Sequence, residues 1–190
     1  LLDPKTSGSV NFFNPEKQLM ESIDNIDDDS LKIFRRNIQM IFQDPYESLN
    51  PRWTIKDIIK EPLDIHNIGN LAEREDTIVE ILRTVGLTPP ENYLNRYPHE
   101  ISGGQRQRVS IARTLVMKPK FVICDEPTSM LDVSIRISIM DLMLNLAKEL
   151  DVSYLYITHD LAVARYMCNR IAVMFNGKIV EIAETEELLQ

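Results

Sequence analysis

The stretch Phe121-Val122-Ile123-Cys124-Asp125-Glu126-Pro127-Thr128 decides the fold class, because it joins an uninterrupted apolar run to two adjacent acids. A strand that is apolar on both faces is typical of the centre of a parallel sheet. Polar residues that follow such a strand lie at the carboxyl edge of the sheet, where α/β proteins bind their ligands. The stretch therefore predicts an α/β protein with a ligand site at Asp125 and Glu126.

Helices and strands alternate in the part of the chain that follows residue 101. We expect strands over 121–125, 153–157 and 170–175 and helices over 105–117, 134–150 and 160–167. Strands separated by helices of this length indicate a parallel sheet with crossover connections. Tight turns favour the dipeptide Asn176-Gly177, which therefore predicts a closing hairpin between 171–175 and 178–182.

Residues 1–100 have a different organisation. The expected elements are strands at 10–13 and 37–42 and helices at 54–63 and 71–85. Gly86 ends the second of these helices. A further short helix is expected after Ser30, with the acidic residues of 24–29 ahead of it and Arg35 and Arg36 in its last turn.

The composition is that of one ordinary globular domain. The 190 residues carry 21 basic and 29 acidic side chains, and the formal net charge is −8. This acidity gives no reason to expect nonspecific binding to nucleic acid or to anionic lipid. The longest apolar runs, such as 171–175, are far shorter than the roughly 18 residues that a membrane span requires. Two cysteines are too few for a disulfide scaffold, so we expect a buried free thiol at Cys124 and a reducing, cytosolic compartment.

Two adjacent acids at the end of a central strand can divide the work of a hydrolase. Asp125 can hold Mg²⁺, as in the Walker B strand of P-loop nucleotidases, and Glu126 can polarise an attacking water. The alternative is that both acids only cap the following helix.

The segment Ile101-Ser102-Gly103-Gly104-Gln105 precedes an apolar helical pattern that continues to Met117. Two glycines before a helix leave backbone N–H groups unobstructed, the serine hydroxyl adds a donor, and the helix dipole adds partial positive charge. This combination predicts an anion site that suits a phosphate. A flexible turn ahead of a helix is the alternative.

This segment resembles the LSGGQ signature of ATP-binding cassette (ABC) proteins, with Ile101 in place of leucine, and it precedes the Walker B-like strand at that family's interval. Three more motifs lie along the chain in the family's order, one before the signature and two after it. Ile41-Phe42-Gln43-Asp44-Pro45 resembles the Q-loop, Ser129-Met130-Leu131-Asp132 the D-loop, and Ile157-Thr158-His159-Asp160 the switch-histidine segment. Residues 43–52, 61–63 and 96–100 resemble the oligopeptide, dipeptide and nickel importer branch, in particular the second of its two ATPase subunits.

The resemblance implies a fold as well as a function. The fold is the α/β core of a P-loop NTPase, here an ABC ATPase, with a parallel sheet and an inserted helical subdomain. Residues 1–43 and 101–190 would form the core, and residues 44–100 the helical subdomain. In this family two ATPase domains face each other head to tail, and each ATP lies between the phosphate loop of one domain and the signature of the other.

The resemblance also implies a role for each motif residue. Gln43 would contact Mg²⁺ and sense the transmembrane partner, Asp125 would hold Mg²⁺ directly or through a water, and Glu126 would be the general base. His159 would hold the γ-phosphate and the water in line. The signature residues Ser102, Gly103, Gly104 and Gln105 would grip the ATP of the partner domain, and Asp132 would lie at the dimer interface.

The implied partners are a second ABC ATPase subunit, transmembrane permease subunits and, indirectly, an extracytoplasmic substrate-binding protein. The permease would dock on 44–100, where Tyr46, Trp53, Ile55 and Ile58 are candidates to line the socket. This places the protein at the cytoplasmic face of the membrane, energising import of peptides or, as the second choice, of nickel. No nucleic-acid partner is expected.

None of the six glycines begins a GxxxxGK[ST] phosphate loop. We therefore expect the chain to be a fragment, truncated at the N-terminus, that binds ATP weakly and hydrolyses it negligibly by itself. Two other functions stay open. One is a soluble ABC-type ATPase acting on DNA or ribosomes, which the net charge of −8 disfavours. The other is an inactive module that contributes only its signature to the ATP of a partner.

Overall fold

A computed structural model describes residues 7–189, so the expectations for 1–6 and for Gln190 lie outside the described residues. The strands are β1 (Asn11–Asn14), β2 (Leu19–Ser22), β3 (Ile38–Ile41), β4 (Phe121–Asp125), β5 (Ser153–Ile157), β6 (Arg170–Phe175) and β7 (Lys178–Glu184). The helices are α1 (Asp28–Asn37), α2 (Pro45–Ser48), α3 (Ile55–Ile65), α4 (Leu71–Thr84), α5 (Glu91–Leu94), α6 (Gly103–Leu115), α7 (Val133–Glu149), α8 (Leu161–Met167) and α9 (Thr185–Leu188).

The centre of the fold is a parallel sheet with the strand order β3-β4-β5. β4 pairs in parallel with both neighbours, and its Phe121 is in register with Ile38 of β3 and with Ser153 of β5. Val122 and Cys124 of the middle strand are fully buried, and the Cys124 thiol is free. The predictions of an α/β fold, a parallel sheet and a buried free cysteine are confirmed.

The last two strands form a separate antiparallel hairpin, β6-β7. Asn176 and Gly177 both have positive φ, 47° and 75°, which is the backbone of the tight turn that the dipeptide predicts. The expectation that strand 170–175 belongs to the parallel sheet is wrong for residues 7–189, where β6 pairs only with β7. On this side β5 is an edge strand, and its Leu155 and Ile157 are 49% and 45% exposed.

Helix starts follow their capping residues. Asp27 Oδ1 accepts a hydrogen bond of 2.7 Å from the N–H of Ser30, so the predicted acidic cap of α1 is confirmed. Helix α6 starts at Gly103, two residues earlier than predicted, because Ser102 and Gln105 form a capping box. The glycines thus lie in the first turn of the helix rather than ahead of it. Strand β2 is not among the expected elements, and it pairs with β1.

One hydrophobic core joins the sheet to the helices of 44–100. Ile55 and Ile58 of α3 are 0% and 2% exposed within this core. The suggestion that they line a docking socket is therefore wrong, because their side chains are enclosed. Tyr46 and Trp53, the other two candidates, are 58% and 38% exposed. In the described part of the chain no helix is both long enough and apolar enough to cross a membrane.

Candidate active site

The three parallel strands deliver polar side chains to one edge of the sheet. Asp125 ends β4 and is in register with Ile157, which ends β5. Gln43 comes two residues after the end of β3, and His159 two residues after the end of β5. Since parallel strands end at the same edge, Gln43, Asp125, Glu126 and His159 gather there.

Glu126 has an unusual backbone that fixes its carboxylate. Its φ is +43°, in the left-handed region that side-chain-bearing residues seldom adopt. Its N–H donates to the carbonyl of Ile157 over 3.0 Å, and its own carbonyl accepts from the N–H and the hydroxyl of Ser129. Strain of this kind persists where the surroundings fix the conformation, and it concentrates at functional sites.

The Glu126 carboxylate bridges two other candidate residues. Its Oε1 lies 2.6 Å from His159 Nδ1, and its Oε2 accepts a hydrogen bond of 3.3 Å from Gln43 Nε2. The hydrogen bond to Glu126, followed by the charge of the same carboxylate, raises the pKa of His159 above its ordinary value of 6.5. The pair therefore favours the imidazolium form, which can stabilise negative charge next to a carboxylate base.

A small cavity of about 70 Å³ adjoins this cluster. Its lining residues are Glu126, Thr128, Ser129, Arg136, Tyr156, Thr158, His159, Asp160 and Val163. The hydroxyls of Thr128 and Tyr156 are 3.3 Å apart, and burial raises the pKa of Tyr156 to about 12, so the phenol stays protonated. The cavity can hold a water molecule beside the Glu126 carboxylate.

Sequence reasoning missed Arg136. Its Nη2 donates to the carbonyls of Ser129 and Leu131 over 3.4 Å each, and its Nη1 lies 3.9 Å from a carboxylate oxygen of Asp160. Arg136 thus links the segment after Glu126 to the segment after His159. Its position four residues after Asp132 could have indicated this role, because residues four apart lie on the same face of a helix.

The signature segment forms a helix N-terminus. The hydroxyl oxygen of Ser102 accepts a hydrogen bond of 3.3 Å from the Gln105 N–H, and the Gln105 side chain accepts one of 3.0 Å from the Ser102 N–H. Gly103 and Gly104 occupy the first turn, where backbone N–H groups have no helical partner. Such a turn can bind a phosphate. Within residues 7–189, no hydrogen bond or ion pair joins Ser102–Gln105 to Gln43, Glu126 or His159.

Asp132 caps the start of α7 through its backbone only. Its carbonyl accepts a hydrogen bond of 2.8 Å from the Arg136 N–H, whereas its exposed side chain makes no capping hydrogen bond. The neighbouring Met130 is 64% exposed. Both side chains are thus accessible to another molecule.

The residues present can supply only part of the coordination shell of Mg²⁺. No group of three or more His, Cys, Asp or Glu side chains in the described residues can hold a metal. Mg²⁺ commonly takes one or two protein oxygens and completes its octahedron with phosphate and water. The half-buried Asp125 carboxylate offers one oxygen, and the Gln43 amide, whose nitrogen is engaged with Glu126, offers another.

Several known proteins resemble this chain in sequence. The sequence profile of the family described as ABC transporter matches residues 2–129. The chain is 53% identical over 158 residues to the oligopeptide transport ATP-binding protein OppF of Bacillus subtilis, covering 83% of this chain and 51% of that protein. It is 46% identical over 181 residues to the dipeptide transport ATP-binding protein DppF of Lactococcus lactis, covering 94% and 57% respectively.

The solved structures that resemble the chain are ATP-binding cassettes. A dimeric post-hydrolysis structure of the cassette MJ0796 with ADP and Pi matches with a TM-score of 0.78 at 32% identity, over 97% of this chain and 76% of that one. The chain spans about half the length of the curated relatives it matches. On the profile match, these relatives and the shared fold, the chain belongs to the ABC transporter family.

Proposed function

We propose that this chain is part of an ATP-hydrolysing subunit that powers the import of oligopeptides or dipeptides through a membrane transporter. The observation that carries the ATPase proposal is the Glu126 carboxylate, held between His159 and Gln43 at the carboxyl edge of a parallel sheet. The names of the relatives, which are oligopeptide and dipeptide transport ATP-binding proteins, support the choice of peptide.

In this proposal Glu126 is the general base. Its carboxylate accepts a proton from a water in the adjoining cavity, a contribution worth about 10²- to 10⁴-fold in rate. His159, whose pKa the same carboxylate raises, holds a proton at its ring and stabilises the negative charge of the phosphate oxygens. Gln43 orients the carboxylate through its amide N–H.

The nucleotide and the metal each have candidate contacts. Asp125 and Gln43 would hold Mg²⁺, which neutralises charge on the phosphates when bound. Ser102, Gly103, Gly104 and Gln105 would bind the terminal phosphate of an ATP held by a second ATPase subunit. This fits a turn whose N–H groups are not engaged with the catalytic cluster of its own chain. Asp132 would contact that second subunit.

We propose that residues 1–43 and 101–190 form the ATPase core and that 44–100 form the helical subdomain on which permease subunits dock. The exposed rings of Tyr46 and Trp53 support a contact surface there. Docking would hold the protein at the cytoplasmic face of the membrane and link it indirectly to a substrate-binding protein.

We also propose that residues 1–190 need a phosphate loop supplied by further sequence. The backbone N–H groups and lysine of such a loop make most contacts to the β- and γ-phosphates. We expect the 190-residue chain to hydrolyse Mg-ATP negligibly and a longer chain with GxxxxGK[ST] ahead of residue 1 to hydrolyse it readily. Equal rates in the two chains would contradict this proposal.

Uptake of a labelled peptide by cells tests the transport proposal. Glu126→Gln in the full-length subunit should abolish ATP-driven uptake. Glu149→Gln, an equally conservative change at the exposed last residue of α7, should leave uptake unchanged. Uptake that persists with Glu126→Gln at the wild-type rate would rule out this chain as the energy source.

A further inference from the structure

Arg106 is a buried cation without a carboxylate partner in the described part of the chain. Its side chain lies in the first turn of α6, and the residue is only 7% exposed. A cation at a helix N-terminus is disfavoured by the helix dipole, and a buried charge is costly unless other groups compensate it. The surroundings of Arg106 must therefore supply strong compensation.

Two backbone carbonyls and one aromatic ring supply that compensation. Nη1 donates to the carbonyls of Pro98, at 3.0 Å, and Ile101, at 2.7 Å. The ring of Tyr46 covers the group, with its centroid 3.6 Å from the guanidinium carbon. This distance is well inside the range of about 6 Å for a cation–π interaction, which strengthens when the cation is desolvated.

The two contacts join segments that are far apart in sequence. Tyr46 belongs to the short helix after Gln43, and its N–H donates to Asp44 Oδ1 over 2.7 Å. Ile101, whose carbonyl Arg106 holds, directly precedes Ser102. The guanidinium therefore connects the segment that carries Gln43 to the backbone that leads into the signature turn. Tyr46 remains 58% exposed, so its ring is accessible to another molecule.

We propose that Tyr46 and Arg106 are positioning residues that hold the Ser102–Gln105 turn in its phosphate-binding position. On this proposal, a permease segment that contacts the exposed ring of Tyr46 shifts the guanidinium and, through the Ile101 carbonyl, the turn. The inference rests on the proposed ATPase function, and it assigns a route by which contact at 44–100 reaches the signature.

The test uses the purified transporter containing the full-length subunit. We compare Tyr46→Leu, which removes the ring, with the matched control Tyr46→Phe, which keeps it. The strength of a cation–π interaction depends on how far the cation is desolvated. Its loss in Tyr46→Leu should therefore lower kcat for ATP by about two- to thirtyfold. Tyr46→Phe should keep the wild-type kcat. The affinity of the isolated full-length subunit for a nonhydrolysable ATP analogue should stay unchanged in both variants, because in the proposed arrangement the turn contacts only an ATP bound to the other subunit.

A double-mutant cycle completes the test. Arg106→Met removes the charge and the donors, so adding Tyr46→Leu to it should cause little further loss of kcat. Independent, multiplying effects, a wild-type kcat in Tyr46→Leu, or an equal loss in Tyr46→Phe would overturn the inference. If Tyr46→Leu does not fold, Arg106→Met compared with wild type provides the readout instead: kcat should fall while the affinity of the isolated subunit for the analogue stays unchanged. Glu126→Gln, measured alongside, tests the ATPase function separately, because full activity in that variant would refute the function and not the coupling.

Discussion

His159 Nδ1 lies 2.6 Å from Glu126 Oε1, although the two residues are 33 positions apart in the chain. The parallel pairing of β4 with β5 produces this contact, because it brings the ends of both strands to the same edge. The positive φ of Glu126 and its hydrogen bond to Ile157 then fix the carboxylate. A base and a proton-holding ring thus lie side by side at the site proposed for ATP hydrolysis.

The contact predicts a pH dependence of His159. In an NMR titration of the folded protein its pKa should lie above 6.5, and Glu126→Gln should return it toward that value because the charge is lost. A pKa at or below 6.5 in the wild type would contradict the contact.

The sign of the linked effect on stability follows from the raised pKa. The unfolded state releases the His159 proton near its ordinary pKa, whereas the folded state keeps the proton to higher pH. Wild type should therefore exceed His159→Ala in free energy of unfolding most clearly below about pH 6.5, the unperturbed histidine value. This advantage should disappear as the pH rises through the raised pKa. Urea unfolding of both proteins across this pH range measures it.

Gly104 should be intolerant of a side chain, whereas its neighbour Gly103 should tolerate one. A Cβ on Gly104 would lie 2.7 Å from Ile135 Cγ2 in α7, but a Cβ on Gly103 meets Leu131 at an ordinary 3.8 Å. Gly104→Ala should lower the free energy of unfolding by about 1–3 kcal/mol through overpacking. Gly103→Ala should change it by no more than about 0.5 kcal/mol.

A compensating change checks the cause of the Gly104 effect. Ile135→Ala removes the methyl group that clashes, so the penalty of Gly104→Ala should shrink in that background. A penalty of the same size with and without Ile135 would show that the α6–α7 contact is not its source.

Gly86 and Gly177 have similar φ, 76° and 75°, but Gly86 should tolerate alanine less well. Both Gly86→Ala and Gly177→Ala place a side chain in the left-handed region, at a cost of about 1 kcal/mol. A Cβ on Gly86 would also lie 2.9 Å from Arg108 Nη1, which donates to the Val85 carbonyl, whereas a Cβ on Gly177 meets nothing within 4 Å. Urea unfolding should show the larger loss, about 2 kcal/mol, for Gly86→Ala.

Elements are predicted correctly where the local sequence pattern and the tertiary pairing favour the same structure. Strands β3, β4 and β5 match expectation because each is a short apolar run bounded by helices, and Asp27 predicts the start of α1 because capping is local. Gly103 shows how a competing signal misleads. Glycine lowers helix propensity, but the capping box of Ser102 and Gln105, which is readable in the sequence, starts the helix at this residue.

Other features depend on contacts that no local pattern contains. Ile55 and Ile58 have the spacing of either a core or a docking face, and only the packed structure shows that they are enclosed. Arginine is seldom fully buried, so the sequence gives no reason to expect that the Tyr46 ring and two carbonyls enclose Arg106. The bridge from Gln43 to Glu126 joins residues 83 positions apart and arises only once the sheet forms.

The rate of Mg-ATP hydrolysis shows whether Glu126 acts as the general base. It should be measured in a subunit that contains this chain together with a phosphate loop, as wild type, Glu126→Gln and the control Glu80→Gln. Glu126→Gln should lower the rate about 10²- to 10⁴-fold while ATP still binds, and Glu80→Gln should match wild type. Hydrolysis by Glu126→Gln at the wild-type rate would contradict the proposed role of Glu126.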